Sequence, residues 1–468
     1  MHQTPRLRLI LAAVLYISCL LGNLFSFFNI ELGFIVMTPF RIVVVITTAI
    51  CLLFLTTEKN LTEKLRSNKL SVAATAFFVV TALYGMLWVL LGQTGSVAKT
   101  EVMGVLTISM FIFCSFVLIR TKSDITQMLK LCVGIGLILA VLAHVEAIFG
   151  SFVPGTRNYF SVGQKLAMGQ VFFSPTSVFY NQNDFAAFLL LDYAILCGWI
   201  IKAKSRKEFL WLIAISVLLI SPTPLIGSSI FNLIAILLTV LTIWLLLLQK
   251  KDCIKVRLQK SICVVLAMVL FGLVLSGAIQ TASISLNRSY FLWQLEQDPD
   301  ITDVELPEQV IPEDVIIDNG LAGKLDAAHS SQGTIYIRYR LIVAGFEMFK
   351  RAPLTGYGPG GYRLQMAQDE EALSQTRAIV DPHCFYIELL SQYGGTLFLA
   401  YLAIVAYCFM VLLRKTLREL KTGSAESATP FLLLIAFLVA VVIPSSAFRL
   451  FPVWMFFSLF VIPAKRQS

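Results

Sequence analysis

The stretch LIGSSIFNLIAILLTVLTIWLLLL (225–248), followed at once by Gln249-Lys250-Lys251, carries no charged side chain along its length. As a helix rising 1.5 Å per residue it is long enough to cross a hydrocarbon core of ~30 Å. Eleven further apolar runs fall at about 9–28, 35–55, 70–92, 102–119, 131–149, 185–201, 209–224, 261–280, 385–413, 430–447 and 450–463. The run at 209–224 is weakened by Ser221-Pro222-Thr223-Pro224, and the last two are short and divided by Pro444-Ser445-Ser446. Composition agrees with this reading. Of 468 residues, 57% are hydrophobic and only 14% charged, against about 25% charged in soluble domains. A mean hydropathy of +0.80 excludes a water-soluble enzyme, a nucleic-acid-binding protein and a disordered chain. The fold expected is all-α, a polytopic membrane protein of about twelve transmembrane helices.

The net charge of +9 reports orientation rather than nucleic-acid binding. With the N-terminus in the cytoplasm, the inner loops receive Arg6 and Arg8, Lys59 to Lys69, Arg120 to Lys130, Lys202 to Lys207, Lys250 to Lys260, Arg414 to Lys421 and Lys465-Arg466. Most of the acidic residues fall outside. This pattern requires 209–224 to cross, since otherwise the Lys250–Lys260 cluster would be exported, and it places both termini in the cytoplasm. The nine cysteines form no CxxC pair and lie mostly in apolar runs, where they act as small apolar filler. The first run lacks a small-residue cleavage site and reads as a retained span. No repeat of 20–50 residues is visible.

The chain thereby divides into membrane helices 1–9 (1–280, with a smaller exported loop at 150–184), a large extracytoplasmic loop with short helices (281–382), and membrane helices 10–12 (383–468). Long loops in compact membrane proteins carry function. Of four histidines, His383 has the most informative context: Asp381-Pro382-His383-Cys384-Phe385-Tyr386-Ile387-Glu388 leads into helix 10. Asp381 is suited to cap that helix and Pro382 to open it. His383 would then sit in the first turn, where the helix dipole favours neutral imidazole, a competent general base. The bland alternative is a histidine that merely starts an interfacial helix.

A second feature is Ile337-Arg338-Tyr339-Arg340-Leu341, running through Phe349 to Pro353-Leu354-Thr355-Gly356-Tyr357-Gly358-Pro359-Gly360-Gly361-Tyr362. Arginines on an exported face suit phosphate oxygens, with salt bridges to the loop's carboxylates as the alternative. Two residues apart on a helix, Arg338 and Arg340 diverge by about 200°, so one phosphate cannot take both; Arg338 is the better candidate. The glycines lack the GK[ST] ending of a P-loop and read as a tight turn.

The order of these features resembles the O-antigen ligase and polymerase superfamily: an Arg-led amphipathic helix, Pro-Leu-x-Gly-x-Gly-Pro-Gly, a histidine opening a membrane helix, then Gly394-Gly395. Phe179-Tyr180-Asn181-Gln182-Asn183-Asp184 before helix 6 and Pro39-Phe40-Arg41 at helix 2 fit the same family. Two departures stand out. Cys384 follows the histidine where the family usually has asparagine. The turn Ile226-Gly227-Ser228-Ser229-Ile230 lacks the usual arginine, for which Arg41, Arg157 or Arg449 could substitute.

The resemblance implies a glycosyltransferase on the outer face of the bacterial plasma membrane. It would transfer or polymerise glycan from an undecaprenyl-diphosphate carrier to an acceptor glycan, with no cofactor and no metal, beside other polysaccharide-assembly proteins. The divergence from the ligase pattern favours a polymerase. His383 would be the catalytic base, with Arg338, Arg340, Arg41, Arg449, Arg157, Asn181 and Asn183 binding substrate. The competing reading is a flippase for lipid-linked oligosaccharide, since twelve helices with both ends inside is also a transporter plan. Transporters typically show internal repeats and midplane charges.

Overall fold

The computed structural model describes residues 5–22, 30–32, 35–56, 69–92, 95–150, 174–250, 252–269 and 334–462, with isolated positions within 152–159 and 277–293. Each of the twelve apolar runs holds a described helix. These are α1 (Pro5–Leu20), α2 (Pro39–Thr56), α3 (Lys69–Leu90), α4 (Ser96–Leu118), α5 (Lys122–Phe149), α6 (Gln182–Lys202), α7 (Arg206–Ile220), α8 (Ser229–Leu248) and α9 (Ile254–Val269). After α10 (Thr334–Arg351), α11 (Gly361–Gln368) and α12 (Glu370–Gln375) come α13 (Phe385–Lys421), α14 (Ala428–Ala440) and α15 (Phe451–Val461). Among the described residues, eight helices are long and apolar enough to cross a membrane. The protein is an all-α, multi-pass membrane protein.

Local chemistry sets the helix ends. Thr121 and Asp124 form a reciprocal capping box at the start of α5, and Gly150, at φ 61°, closes it. Ser205 caps α7 by accepting from Glu208 N. The proline-containing stretch after α7 adds only one short turn, Thr223–Ile226, ended by left-handed Gly227. After the reversal there, α7 and α8 both pack against α6. Two departures from the sequence reading occur near the N-terminus. Ile35–Met37 pairs with Ile30–Leu32 as a two-stranded antiparallel ribbon, and α2 starts only at Pro39, whose ring fixes φ for a helix start.

The core is centred on α6, where Phe185 to Cys197 are all buried. It is wrapped by α5, α7, α8 and α14. Gly198 permits the approach of α14, since a Cβ there would lie 2.4 Å from Thr429 Cα. Outer faces carry exposed apolar side chains, such as Leu52 and Leu53 on α2 and Leu233, Ile236 and Val240 on α8. Such faces need lipid against them.

Two runs are not the continuous helices expected. α13 is interrupted at Gly394 (φ 74°, ψ 175°). The run at 430–447 is helical only to Ala440. Its 13 residues reach about 20 Å, after which 441–450 is irregular. Pro444 within that stretch cannot continue a helix.

Candidate active site at the broken helices

The site is built where these two interruptions meet the glycine turn. Gly356, Gly358 and Gly360 all have positive φ, at 66°, 76° and 72°, which glycine adopts without strain. The turn docks on the break in α13: Tyr357 N donates to Ser391 O (2.9 Å), Gly358 N to Gln392 O (2.8 Å) and Gly395 N to Pro353 O (2.8 Å). A Cβ on Gly394 would lie 2.2 Å from Leu354 O, so no other residue fits.

The irregular segment 441–450 folds back against the first turn of α13. Backbone at this depth must be satisfied by protein, and it is. His383 N donates to Ser445 O (3.1 Å) and Phe385 N to Val441 O (3.2 Å). The Arg338 guanidinium reaches the carbonyls of Val442 (3.0 Å) and Ile443 (3.3 Å). Glu388, buried on α13, accepts from Ser446 Oγ and from Ala447 N. Trp454 Nε1 donates to Ala447 O at 2.7 Å.

Between these elements lies a compact set of ionisable groups. Arg363 on α11 pairs with Asp381 at 2.9 Å. Arg449 acts electrostatically on Asp381, Glu101 and Glu388, and His383 on Asp381. Glu101, buried at the start of α4, and Gln392 both face the Gly360 N–H. Burial disfavours the charged form of Asp381, but Arg449, Arg363 and His383 outweigh it and hold the carboxyl below the usual carboxylate range. Burial lowers the Arg338 guanidinium from its ordinary value. Burial pushes the Cys384 thiol up, keeping it a neutral thiol rather than a nucleophile.

Residues 209–402 match the family model described as O-antigen ligase, a span that includes Arg338, the glycine turn and His383. The chain is also similar to the teichuronic acid biosynthesis protein TuaE of Bacillus subtilis (strain 168), with 22% identity over 466 residues, covering 98% of this chain and 85% of that protein. Over residues 209–402 the chain resembles the O-antigen ligase family. Both matches are to proteins named for polysaccharide assembly, an O-antigen ligase domain and a teichuronic acid biosynthesis protein.

In this chain the residues singled out from sequence are only partly brought together. His383, Arg338 and Arg449 converge on the interrupted helices. Arg340 points away from Arg338, as their spacing requires, and donates to Gln375 on α12. Arg41 donates to Val36 O at 2.6 Å across the ribbon rather than to this cluster. Asn181 is committed to capping α6: its Oδ1 accepts from Asn183 N (2.9 Å) and Asp184 N (3.0 Å). That cap nevertheless brings Asp184 within electrostatic reach of Asp381. Arg157 lies outside the described residues.

One expectation is overturned. Asp381 does not cap helix 10, and His383 is not in its first turn. The helix starts at Phe385 with Cys384 as N-cap, and His383 sits before it in the left-handed region at φ 47°. Pairing of Asp381 with Arg363 and of the His383 and Phe385 amides with segment 441–445 replaces the expected cap. The sequence reading also missed Glu101, Arg363 and Glu388. An acidic residue inside or bordering an apolar run is by default a functional candidate, and that rule alone would have selected Glu101 and Glu388.

Proposed function

We propose that this protein is an extracytoplasmic glycosyltransferase of the bacterial plasma membrane. It transfers glycan from an undecaprenyl-diphosphate carrier to an acceptor glycan, as a polymerase rather than a ligase, in assembly of a teichuronic-acid-type surface polymer. One observation carries the reading. His383, held in a strained left-handed conformation, acts with Arg449 on the ionised Asp381 carboxylate, and Arg338 reaches the Val442 and Ile443 carbonyls of the segment that binds the His383 amide, with His383, Asp381 and Arg338 all inside the stretch matching the O-antigen ligase family.

In this reaction His383 accepts the proton of an acceptor hydroxyl as the oxygen attacks the anomeric carbon. The bond from that carbon to the diphosphate oxygen breaks, and its electron pair leaves with the diphosphate. The proton then passes from His383 to water or to the released diphosphate. Asp381 lies within electrostatic reach of the imidazole and supports its transient positive charge. Arg338 has five N–H donors, of which the two carbonyls occupy only part, leaving capacity for the diphosphate. Arg449 supplies the second cation in place of the arginine absent from the 226–230 turn.

Lipid-linked intermediates in a deletion strain test this. A lost transferase strands the complete glycan-lipid on the outer leaflet, accessible to added glycosidase. A lost flippase strands it inside, and that result would replace the transferase reading.

A further inference from the structure

The glycine turn has two sides. One faces Gln392 and Glu101. The other walls a cavity of about 340 Å3 between the turn, α11 and the last turns of α3. That size falls at the lower end of the ~300–1,000 Å3 typical of small-ligand pockets. Its lining includes Trp88, Ala352, Thr355, Tyr357, Leu364 and Gln365, and no charged side chain. A diphosphate would have nothing there to pair with, and its desolvation would go uncompensated.

The chemistry suits a different ligand. The rings of Trp88 and Tyr357 are part of the lining, and aromatic walls suit the C–H groups of a pyranose ring. The Gln365 amide and the Thr355 hydroxyl supply donors and acceptors for its hydroxyl groups. The aromatic wall is also preformed. Gly358 lies so close that a Cβ would sit 2.7 Å from Trp88 Cδ2. Tyr84 packs edge-on against the indole with ring centroids 6.4 Å apart, and its hydroxyl donates to Thr355 O at 2.7 Å. Because Tyr357 and Gly358 also bond to the break in α13, only the thickness of the turn separates cavity and ion cluster.

We infer that this cavity is a glycan subsite that holds an uncharged sugar ring of the acceptor chain next to the one that reacts. The inference rests on the transferase reading for its ligand and supplies the acceptor position that reading lacks. Arg363 and Gln365, two apart on α11, diverge by about 200°, so one helix serves the ion cluster with one residue and the sugar with the other.

The test uses the full-length protein in nanodiscs. The probe is a set of lipid-free oligosaccharides released by mild acid from the host strain's own surface polymer, with binding followed by saturation-transfer NMR. Wild type and His383→Ala should bind equally. Trp88→Ala should weaken binding about tenfold and Gln365→Ala about threefold, while Trp88→Phe retains most of it. In turnover assays Trp88→Ala should raise the acceptor KM and leave kcat near wild type, which a merely unstable variant would not do. Unchanged affinity in Trp88→Ala, or no binding by wild type, overturns the subsite. Glycan-lipid stranded on the inner leaflet of a deletion strain would instead remove the transferase reading and leave the binding comparison standing.

Discussion

The helices α6 and α13 both run through the membrane bundle, yet they are built in opposite ways. α6 is continuous and buried almost throughout; apart from buried Asp192 and a Tyr193–Thr239 hydroxyl contact, it meets its neighbours through apolar side chains and the close approach at Gly198. α13 is broken at Gly394, carries buried Glu388, and exchanges backbone hydrogen bonds with the glycine turn and with segment 441–445. A continuous helix satisfies its own backbone and asks its surroundings only for apolar contact. A broken one leaves N–H and C=O groups that must be met by side chains and other loops. The polar side chains recruited for that purpose form the site, so structural repair and chemistry share the same residues.

Substitutions at the polar break should therefore affect activity more than stability, and those at the apolar contact the reverse. Arg338→Ala should cost ~10²–10³-fold in transfer rate, and Arg338→Lys should fail to restore it, because lysine lacks a planar fork. Near-normal polymer from Arg338→Lys would reduce Arg338 to a structural clip. The two glycines sharpen the contrast. Gly394→Ala combines a positive φ with a clash against Leu354 O and should cost about 1–3 kcal/mol, lowering the melting temperature and also abolishing the specific activity of the molecules that stay folded. Gly198→Ala forces α6 from α14 and should lower the melting temperature by several degrees while surviving molecules keep their specific activity. Thermal unfolding in detergent alongside transfer assays separates the two.

A smaller effect follows from Asp381. Its folded carboxyl is held below the usual range, so its contribution is fully present above the unfolded value of about 3.9 and is lost as pH falls through the depressed folded value. Wild type should lose melting temperature below about pH 4 more steeply than Asp381→Asn. Parallel curves would show that the ion cluster does not hold this region together. The smallest change is expected for Arg340→Ala, whose contact with Gln375 lies on the partly exposed loop helices; activity should stay within about fivefold of wild type.

Much of the helical framework was legible because apolar runs and basic flanks are local signals. The divergence of Arg338 and Arg340 was legible from spacing alone, and the glycine turn from its composition. The fold-back of 441–450 was not. Pro444-Ser445-Ser446 marks an interruption but says nothing of where the chain goes, and its partners Arg338, His383 and Glu388 lie roughly 60 to 105 residues upstream. Asp381 misled for a related reason. Local rules favour Asp-Pro as a helix start, but Arg363, 18 residues earlier in the chain, takes the carboxylate instead. Asn181 shows the converse, a residue offered for substrate that the local cap consumes.

The role of His383 is tested most directly with purified protein in proteoliposomes, loaded with lipid-diphosphate-linked repeat units extracted from a deletion strain. His383→Ala should slow chain extension by ~10²–10⁴-fold with unchanged melting temperature and unchanged binding of the lipid-linked substrate. Extension at the wild-type rate by His383→Ala would contradict the assignment of His383 as the base that activates the acceptor hydroxyl.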